Sequence, residues 1–287
     1  MKLSSQEVTQ VSSLVMDLCG ILLDESKGYL IESRLAPLAT EFGCASYGDL
    51  VNKARTQRDK QLLTRIIDAI TTNETLFFRD GSPFEALRHK ALPELIDAKA
   101  KTAYPKRLRI WSAACSTGQE VYSLAMTLHE LIPGIHGWDV QILGTDISDA
   151  ALRQASSGTY SAFEIERGMK PEMLSRYFTR QGQHYKVKDE LRALCSFQRQ
   201  NLQESFAVAG PFDVIFCRNV VIYFTAQARK DIFHRLASAL VRDGYLFVGS
   251  AESLADLGPR FQPQHHCRSV YYRPNLPSPD PVTLAHR

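Results

Sequence analysis

The sequence predicts an α/β protein in which a mostly parallel sheet, covered by helices and carrying a small antiparallel β insertion, follows an all-α domain. Three observations predict this class. Residues 1–72 show only helical periodicity, strands alternate with helices from residue 108 onward, and short alternating stretches between 177 and 200 interrupt that pattern. Strands that alternate with helices are typical of a parallel sheet covered on both faces.

Composition limits the class of protein. The chain has 287 residues, of which 44% are hydrophobic and 23% charged, as in globular proteins with one large core or two smaller ones. Its apolar runs are shorter than the roughly 20 residues that span a bilayer. Its first ten residues lack the order of a secretory signal. We therefore expect a cytoplasmic protein that does not insert into membranes.

Cysteine usage argues against a disulfide framework and against a metal site. The six cysteines are scattered and none forms a C-x-x-C pair, so we expect them to be reduced and mostly buried. The stretch Gln264–Cys267 (QHHC) offers adjacent metal-binding side chains without a second cluster, which makes a poor zinc site. We expect no bound metal.

The all-α domain is predicted over residues 1–72. The stretch Ser4–Glu7 resembles a capping box at the start of a helix. An apolar stripe at helical spacing then follows, formed by Val8, Val11, Leu14, Val15 and Leu18. A second stripe is formed by Leu62, Leu63, Ile66, Ile67 and Ile70.

Charge is concentrated in residues 51–66 of this domain. That segment carries five basic side chains and one acidic one, a net charge of +4, against +3 for the whole chain. A local basic face attracts acidic partners, although a solvated helix face is the ordinary alternative. We predict a docking face formed by Lys53, Arg55, Arg58 and Lys60.

The rest of the chain divides into a connection, a sheet domain and a tail. Residues 73–90 connect the domains, and their stretch NETLFFRD is too rich in aromatic and charged residues for a plain linker. Residues 91–273 form the predicted sheet domain, with a β appendage at about 177–200, where Lys186–Lys188 suits an exposed antiparallel strand. Residues 274–287 contain four prolines and are predicted to be disordered.

Three strand ends predict the ligand site, because ligands of open α/β sheets bind at the carboxyl ends of the strands. They are the turn AACSTGQE after the first strand, Asp146 at the end of the second, and Cys217–Asn219 after a later one. Asp146 is placed to accept hydrogen bonds from ribose hydroxyls. An Asp that merely precedes a turn is the alternative.

The turn lacks the glycine-rich G-x-G-x-x-G pattern of dinucleotide sites, since Gly118 is its only glycine. Glu120 stands in the first turn of the following helix, where a carboxylate repels a phosphate but accepts hydrogen bonds from an ammonium group. The alternative is that Glu120 only complements the helix dipole. A ribose-bearing ligand with a cationic part and no phosphate fits, and S-adenosylmethionine (SAM) is such a ligand.

Several stretches in this order resemble the chemotaxis receptor glutamate methyltransferases, the CheR family. They are TTNETLFFRD, RIWSAACSTGQEVYSLAM, LGTDIS, GPFDVIFCRNVVIYF and GYLFVGSAESL, and the likeness covers most of residues 10–273. The resemblance implies an N-terminal helical domain, a SAM-dependent methyltransferase (Rossmann-like) sheet domain and a small β subdomain. It further implies methylation of glutamate γ-carboxylates on chemoreceptor helices, which yields methyl esters for chemotactic adaptation.

The resemblance also implies site residues. The implied SAM contacts are Asn73, Thr75, Arg79, Glu120, Asp146, Asn201, Leu202, Arg218 and Asn219. Arg79 has a plausible partner in the methionine carboxylate of SAM. We expect Arg79, Asn219 and Tyr223 to act on the acceptor, with Tyr223 orienting it and Arg79 or Arg218 steering its charge. Helix capping by Asn73 and Thr75, a surface ion pair of Arg218 and a core position of Tyr223 are the alternatives.

Partners and rival functions follow from the same comparison. We expect a monomer that acts on chemoreceptors, joins membrane receptor arrays through them and binds no nucleic acid. We also expect no binding of a C-terminal receptor pentapeptide, because the loop RQGQHYKVK of the β insertion is short. Three rivals stay open: a SAM methyltransferase for RNA or a small molecule, a SAM-sensing module without catalysis, and a nicotinamide-dependent dehydrogenase. The small net charge disfavours RNA, and the missing glycines disfavour the dehydrogenase.

Overall fold

The computed structural model of the chain describes residues 2–57, 59–101, 106–208 and 210–275. Arg58 of the predicted docking face lies outside the described residues, as does the predicted disordered tail from residue 276 onward. Over the described part, a helical N-terminal domain precedes an α/β domain, and the two share one large cleft.

The N-terminal domain is built from α1 (Ser5–Cys19), α2 (Gly28–Glu41), α3 (Tyr47–Gln57) and α4 (Lys60–Ile70). The Ser4 hydroxyl accepts a hydrogen bond from the N–H of Glu7, and the Glu7 carboxylate accepts one from the N–H of Ser4, so the capping box is confirmed. Both predicted apolar stripes pack into one core, with Leu18 and Leu63 at its margin. Its described residues form helices and turns without a strand, which confirms the all-α prediction.

The second domain alternates helices with strands, as predicted. Its helices are α5 (Ser82–Ala86), α6 (Leu92–Ala100), α7 (Gln119–Leu131), α8 (Asp149–Ser157), α9 (Ala162–Glu166), α10 (Pro171–Tyr177), α11 (Asp189–Arg192) and α12 (Ala226–Ala239). A π-helical turn, Leu87–Ala91, joins α5 to α6. Its strands are β1 (Arg107–Ala113), β2 (Asp139–Asp146), β3 (Thr159–Ser161), β4 (Phe178–Gln181), β5 (His184–Val187), β6 (Cys195–Arg199), β7 (Phe212–Cys217), β8 (Leu240–Val248), β9 (Phe261–His266) and β10 (Ser269–Pro274).

The main sheet has the order β6-β2-β1-β7-β8-β10-β9. The pairs from β6 to β8 are parallel, and β10 and β9 add an antiparallel edge. Both faces are covered, because successive residues of β7 alternate between two cores: Val214 and Phe216 enter one, Ile215 and Cys217 the other. The strand order reverses at β1, which places the ends of β1, β2 and β7 side by side.

The small antiparallel sheet differs from the predicted appendage. It has the order β3-β5-β4, so it recruits Thr159–Ser161 from outside the predicted range 177–200. The segment Cys195–Arg199 leaves it and pairs with β2 in the main sheet. The exposed positions of β6 conceal its role, because an edge strand is covered less completely than a central one. Val187, predicted to be exposed, is buried between this sheet and the main domain.

Two further corrections concern the last strands. The prediction missed β9, an edge strand that contains Pro263 and pairs with β10 across a turn at Cys267 and Arg268. Proline is tolerated at sheet edges, where its missing N–H is not needed. The stretch QHHC is therefore the end of a hairpin strand. Pro274, assigned to the disordered tail, is the last residue of β10.

Two absences hold for the part of the chain that the structure describes. No helix there combines the length and apolar character needed to cross a membrane. Likewise, no group of three or more His, Cys, Asp or Glu side chains in those ranges is arranged to hold a metal ion.

Candidate active site

A cleft opens at the carboxyl ends of β1, β2 and β7, where the strand order reverses. It encloses about 860 Å³ of space free of protein atoms, including its mouth. Ten of the predicted site residues line it: Asn73, Thr75, Arg79, Glu120, Asp146, Asn201, Leu202, Arg218, Asn219 and Tyr223. Side chains that lie as far as 150 residues apart in the sequence thus meet in one place.

The floor of the cleft is the turn between β1 and α7. Ala114, Ser116 and Gly118 have φ of +61°, +51° and +93°, so the chain turns sharply here. The N–H of Cys115 donates to the carbonyl of Thr145 at 2.8 Å. The Ser116 hydroxyl donates to the carbonyl of Asn73 at 2.9 Å, which ties the connection between the domains to this turn.

The atoms packed around Gly118 explain why the turn needs a glycine at this position. A Cβ atom at Gly118 would lie 2.8 Å from the Cβ of Ala155 in α8 and 3.1 Å from the hydroxyl of Tyr160. That hydroxyl donates to the carbonyl of Thr117 at 2.8 Å. The glycine is therefore needed for the close packing of the turn against α8, and no phosphate enters its explanation.

Asp146 is a buried carboxylate, 7% exposed, at the end of β2. Oδ2 accepts a hydrogen bond from the N–H of Ser116 at 2.8 Å, and Oδ1 accepts one from the N–H of Ser148 at 2.9 Å. Burial raises the pKa of Asp146, and the two backbone hydrogen bonds oppose that rise. Each oxygen of a carboxylate has two lone-pair sites, so both keep capacity to accept a ligand hydroxyl.

Glu120 is held from both sides in the first turn of α7. The Ser112 hydroxyl donates to Oε1 at 2.8 Å, and a guanidinium nitrogen of Arg218 donates to Oε2 at 2.8 Å. The Glu120 side chain is 13% exposed. A carboxylate in this position leaves no free helix N-terminus for a phosphate, so the cleft suits a nucleoside whose tail is cationic.

Arg218 follows β7 and has a side chain that is 1% exposed. Besides Glu120, it donates to the carboxylate of Asp80 at 2.8 Å and to the carbonyl of Arg79 at 2.9 Å. The alternative of a surface ion pair is therefore wrong. The guanidinium of Arg218 joins α7 to the connection between the domains, whereas Arg79 is half-buried at the cleft wall.

Asn219 and Tyr223 lie on the loop that follows β7. Asn219 adopts a left-handed conformation with φ of +56°, which is uncommon for a residue with a side chain. Its N–H donates to the carboxylate of Glu252 at 2.9 Å. Tyr223 is half-buried, and its carbonyl accepts a hydrogen bond from the N–H of Leu22 at 2.9 Å. This loop therefore contacts the N-terminal domain.

The N-terminal domain supplies part of the cleft wall that the sequence did not predict. Cys19 and Ile21, at the end of α1, line the cleft. Asn201 holds them there, because its side-chain amide donates to the carbonyl of Leu18 at 3.1 Å. Gln200, which also lines the cleft, donates from its N–H to the carbonyl of Asp146 at 3.0 Å. Nothing local in the sequence marks Cys19, the last residue of α1, or Ile21, two residues beyond it, since both look like ordinary apolar residues.

The predicted docking face is less positive than its sequence suggests. Arg55 pairs with Asp17 at 3.1 Å, and Lys53 donates to the carbonyl of Phe42 at 2.9 Å. In the same segment Arg65 forms a two-armed ion pair with Glu41 at 2.7 and 2.8 Å. Lys60 is exposed at the start of α4. Acidic residues of α1 and α2 therefore offset part of the local charge.

Comparison with known proteins decides the family. The family model described as "CheR methyltransferase, SAM binding domain" matches residues 73–269, and the one described as "CheR methyltransferase, all-alpha domain" matches residues 6–71. The chain belongs to the CheR methyltransferase family. Membership excludes the nicotinamide-dependent dehydrogenase, because the larger domain of this CheR-family protein is a SAM-binding domain.

Individual relatives cover nearly the whole CheR-family chain. Chemotaxis protein methyltransferase 1 of Pseudomonas aeruginosa is 44% identical over 259 residues, which are 89% of this chain and 93% of that protein. The chemotaxis protein methyltransferase of Vibrio parahaemolyticus is 42% identical over 264 residues, covering 91% and 94%. The chemotaxis protein methyltransferase of Escherichia coli is 34% identical over 265 residues, covering 90% and 88%.

The cleft residues of this CheR-family protein fit SAM. Asp146 would accept hydrogen bonds from the ribose hydroxyls, because its oxygens keep lone pairs after binding the backbone. Glu120 is already neutralised by Arg218, so it would accept from the α-ammonium group without being left as an isolated buried charge. Ile21 and Leu202 offer apolar contacts to a base.

Proposed function

We propose that this protein uses SAM to methylate γ-carboxylates of glutamate residues on the cytoplasmic helices of chemoreceptors. The products are glutamate methyl esters, which serve chemotactic adaptation or related chemosensory signalling. The observation that carries the proposal is the cleft of a CheR-family SAM-binding domain, in which Asp146 and Glu120 stand where a phosphate-free nucleoside would bind. The relatives at 34–44% identity are chemotaxis protein methyltransferases, which supports a receptor as acceptor.

The chemistry needs alignment rather than a general base. A glutamate with an ordinary pKa of about 4.3 is ionised at neutral pH and attacks without losing a proton. The described residues that line the cleft include no histidine and no lysine, in keeping with that requirement. Bound SAM supplies an electrophilic methyl group on its sulfonium. Good positioning of two reactants lowers a barrier by roughly 7–11 kcal/mol.

The residues of the chain would hold the acceptor in line with the sulfonium. Tyr223 and Asn219 stand on one loop at the cleft, where a hydroxyl and an amide can orient a carboxylate. Arg79 contributes positive charge at the same wall, and its guanidinium would attract the acceptor carboxylate. Leu22 and Ile222, next to this loop, are 56% and 58% exposed, so they offer apolar contacts to a helix that presents its glutamate.

The test measures methyl transfer directly. Incubation with SAM carrying a tritiated methyl group and receptor-bearing membranes should label protein in a form that releases volatile methanol in base. The variant Asp146→Asn should lose transfer through weaker binding of SAM, because one of its two acceptor oxygens becomes a donor. Asp97→Asn is the matched control, since Asp97 is exposed on α6. Absence of label with several cognate receptors would refute the proposal.

A non-catalytic SAM sensor and a methyltransferase for RNA or small molecules are the competing functions. The presence of Asn219 and Tyr223 beside the cofactor residues supports catalysis over sensing. The net charge of +3 and the local pairing of the basic segment give little support to RNA binding. Label that appears in nucleic acid, or in base-stable form, would favour the second alternative.

For partners, we propose a monomeric enzyme that meets receptors without a C-terminal tether. Only residues 182 and 183 connect β4 to β5, with Gly182 at φ of +60°, so the hairpin is short. Titration of a receptor C-terminal pentapeptide in a calorimeter should therefore give no binding up to about millimolar concentration. Micromolar affinity for that peptide would contradict the expectation.

A further inference from the structure

Glu252 lies four residues beyond the end of β8, and only 8% of it is exposed. One carboxylate oxygen accepts hydrogen bonds from the N–H groups of Gly249 and Asn219, at 2.7 and 2.9 Å. The other accepts from the N–H groups of Val220 and Val221, at 3.0 and 3.1 Å. One side chain thus gathers four backbone donors from the ends of β7 and β8.

These four hydrogen bonds fix the loop that carries Asn219 and Tyr223. Asn219 is held at φ of +56°, in the left-handed region that residues with a side chain adopt less readily than glycine does. The N–H groups of Val220 and Val221 lie just past a buried strand, where an unpaired donor would be costly. The Glu252 carboxylate satisfies all of them at once and so selects this loop conformation over others.

Gly249 shows how close the fit is. A Cβ atom there would lie 2.7 Å from a Glu252 carboxylate oxygen, 2.8 Å from the side-chain nitrogen of Asn219 and 2.9 Å from its backbone nitrogen. Its φ lies outside the left-handed region, so the lack of space, rather than backbone freedom, makes glycine necessary here. Even one methyl group would push the loop away from Glu252.

We propose that Glu252 is a positioning residue for methyl transfer, which aligns the acceptor by fixing Asn219 and Tyr223 at the cleft. Glu252 itself does not line the cleft and acts through the loop. This inference rests on the proposed function. It separates two tasks: Asp146 and Glu120 bind the nucleoside, whereas Glu252 sets the geometry of transfer.

Two variants disturb the same contact from opposite sides. Glu252→Gln replaces one acceptor oxygen by an NH₂ group, which then faces two backbone donors that have lost their partner. Gly249→Ala inserts the missing Cβ. The controls are Glu94→Gln, which removes a carboxylate hydrogen-bonded to Lys90 and Tyr245 away from the cleft, and Gly137→Ala, whose Cβ would meet no atom within 4 Å.

The measurements are kcat for methyl transfer to receptors, the Kd of S-adenosylhomocysteine, and Tm. We expect kcat to fall on the order of ten- to a hundredfold in both variants, because small misplacements of reacting groups cost that much. The Kd should change less than about threefold, or about 0.7 kcal/mol, because Asp146 and Glu120 keep their contacts to the nucleoside and only the expected contact of Asn219 is disturbed. Both controls should keep the wild-type kcat.

Other outcomes overturn the inference. Unchanged kcat in both variants would show that the loop does not need Glu252. A parallel loss of kcat and of nucleoside affinity would show a purely structural role. If Glu252→Gln fails to fold, Gly249→Ala alone decides by the same criteria. A wild-type protein that forms no methyl ester would overturn the proposed function and this inference together, whereas an active wild type with unaffected variants overturns this inference alone.

Discussion

At the scale of single residues, two carboxylates of the cleft, Glu120 and Asp146, differ in how their charge is compensated. Glu120 is compensated by Arg218, whereas Asp146 has only backbone N–H groups as partners. Burial raises the pKa of Asp146, and the nearby Asp68 carboxylate adds to that rise. The folded state therefore disfavours the ionised form, which is the form that accepts two hydrogen bonds from a ribose.

This difference predicts a pH dependence of ligand binding. The pKa of Asp146 is raised above the ordinary value of about 3.9, so Asp146 takes up its proton at a pH above about 4. Below that raised pKa, S-adenosylhomocysteine loses an acceptor, so its affinity should fall as the pH is lowered from neutrality toward that pKa. Calorimetry across this range, with Asp146→Asn as control, measures the effect.

The raised pKa of Asp146 affects folding stability in the opposite direction: a higher pH favours ligand binding but lowers stability. Ionisation of Asp146 costs more in the folded than in the unfolded chain, so this residue lowers stability as the pH rises through its raised pKa. Asp146→Asn should remove that contribution and weaken the pH dependence of binding. A wild-type affinity that follows the same pH curve as Asp146→Asn would contradict the assignment of the effect to this carboxylate.

At the scale of elements, the turn from β1 to α7 depends on the space next to α8. Gly118→Ala should destabilise the protein because the Cβ meets Ala155 at 2.8 Å and the residue must keep φ of +93°. Gly134→Ala measures the cost of a positive φ alone, because Gly134 has φ of +66° but a Cβ there would meet no atom within 4 Å.

We expect Gly118→Ala to lower the free energy of unfolding by about 1–3 kcal/mol more than Gly134→Ala, the usual cost of overpacking. Urea unfolding of both variants measures the difference. Equal losses of unfolding free energy in the two variants would mean that α8 shifts to accommodate the new Cβ, and that the close packing of the turn adds no stability.

Periodicity predicts those elements whose neighbours lie close in sequence. The strands β1, β2, β7 and β8 are largely buried, and the helices α7 and α12 come after β1 and β7 in the chain, so local patterns reveal them. The pattern fails for β6, whose exposed edge positions look like those of the antiparallel strands before it. It fails again for β9, where Pro263 and two histidines hide a hairpin strand.

The site could be predicted in part for the same reason. Asp146 ends β2, and Glu120 lies in the first turn of the helix that follows the neighbouring β1, so topology brings them to the same end of the sheet. Glu252 could not be found, because its role depends on four backbone N–H groups, and a sequence does not display backbone donors. The contact of Asn201 with Leu18 spans 183 residues, and only the packing of the two domains creates it.

At the scale of the whole molecule, the proposed receptor docking depends on long-range charge. The triple variant Arg55→Glu, Arg58→Glu, Lys60→Glu should lower the rate of receptor methylation at low salt by roughly tenfold, because steering by charge acts on association. The Kd of S-adenosylhomocysteine should stay unchanged. Since Arg55 is paired with Asp17, part of the effect will come from the loss of that pair.

The matched control reverses Lys101, the residue after α6, together with Lys106 and Arg107 at the amino end of β1, which is the opposite end of that strand from the cleft. This control changes net charge equally and should leave the methylation rate near that of wild type. Equal rates of receptor methylation for the docking variant and the control would show that the docking face does not attract the receptor.

The position of the cleft has a consequence for how such proteins can be divided. The two family models meet between residues 71 and 73, yet Thr71, Thr72 and Asn73 all line the cleft together with Cys19 from α1. The cleft is therefore lined by residues from both regions that the family models match, and neither region contains the whole cleft. Exchange of the N-terminal domain between relatives would therefore also exchange part of the wall of the cleft.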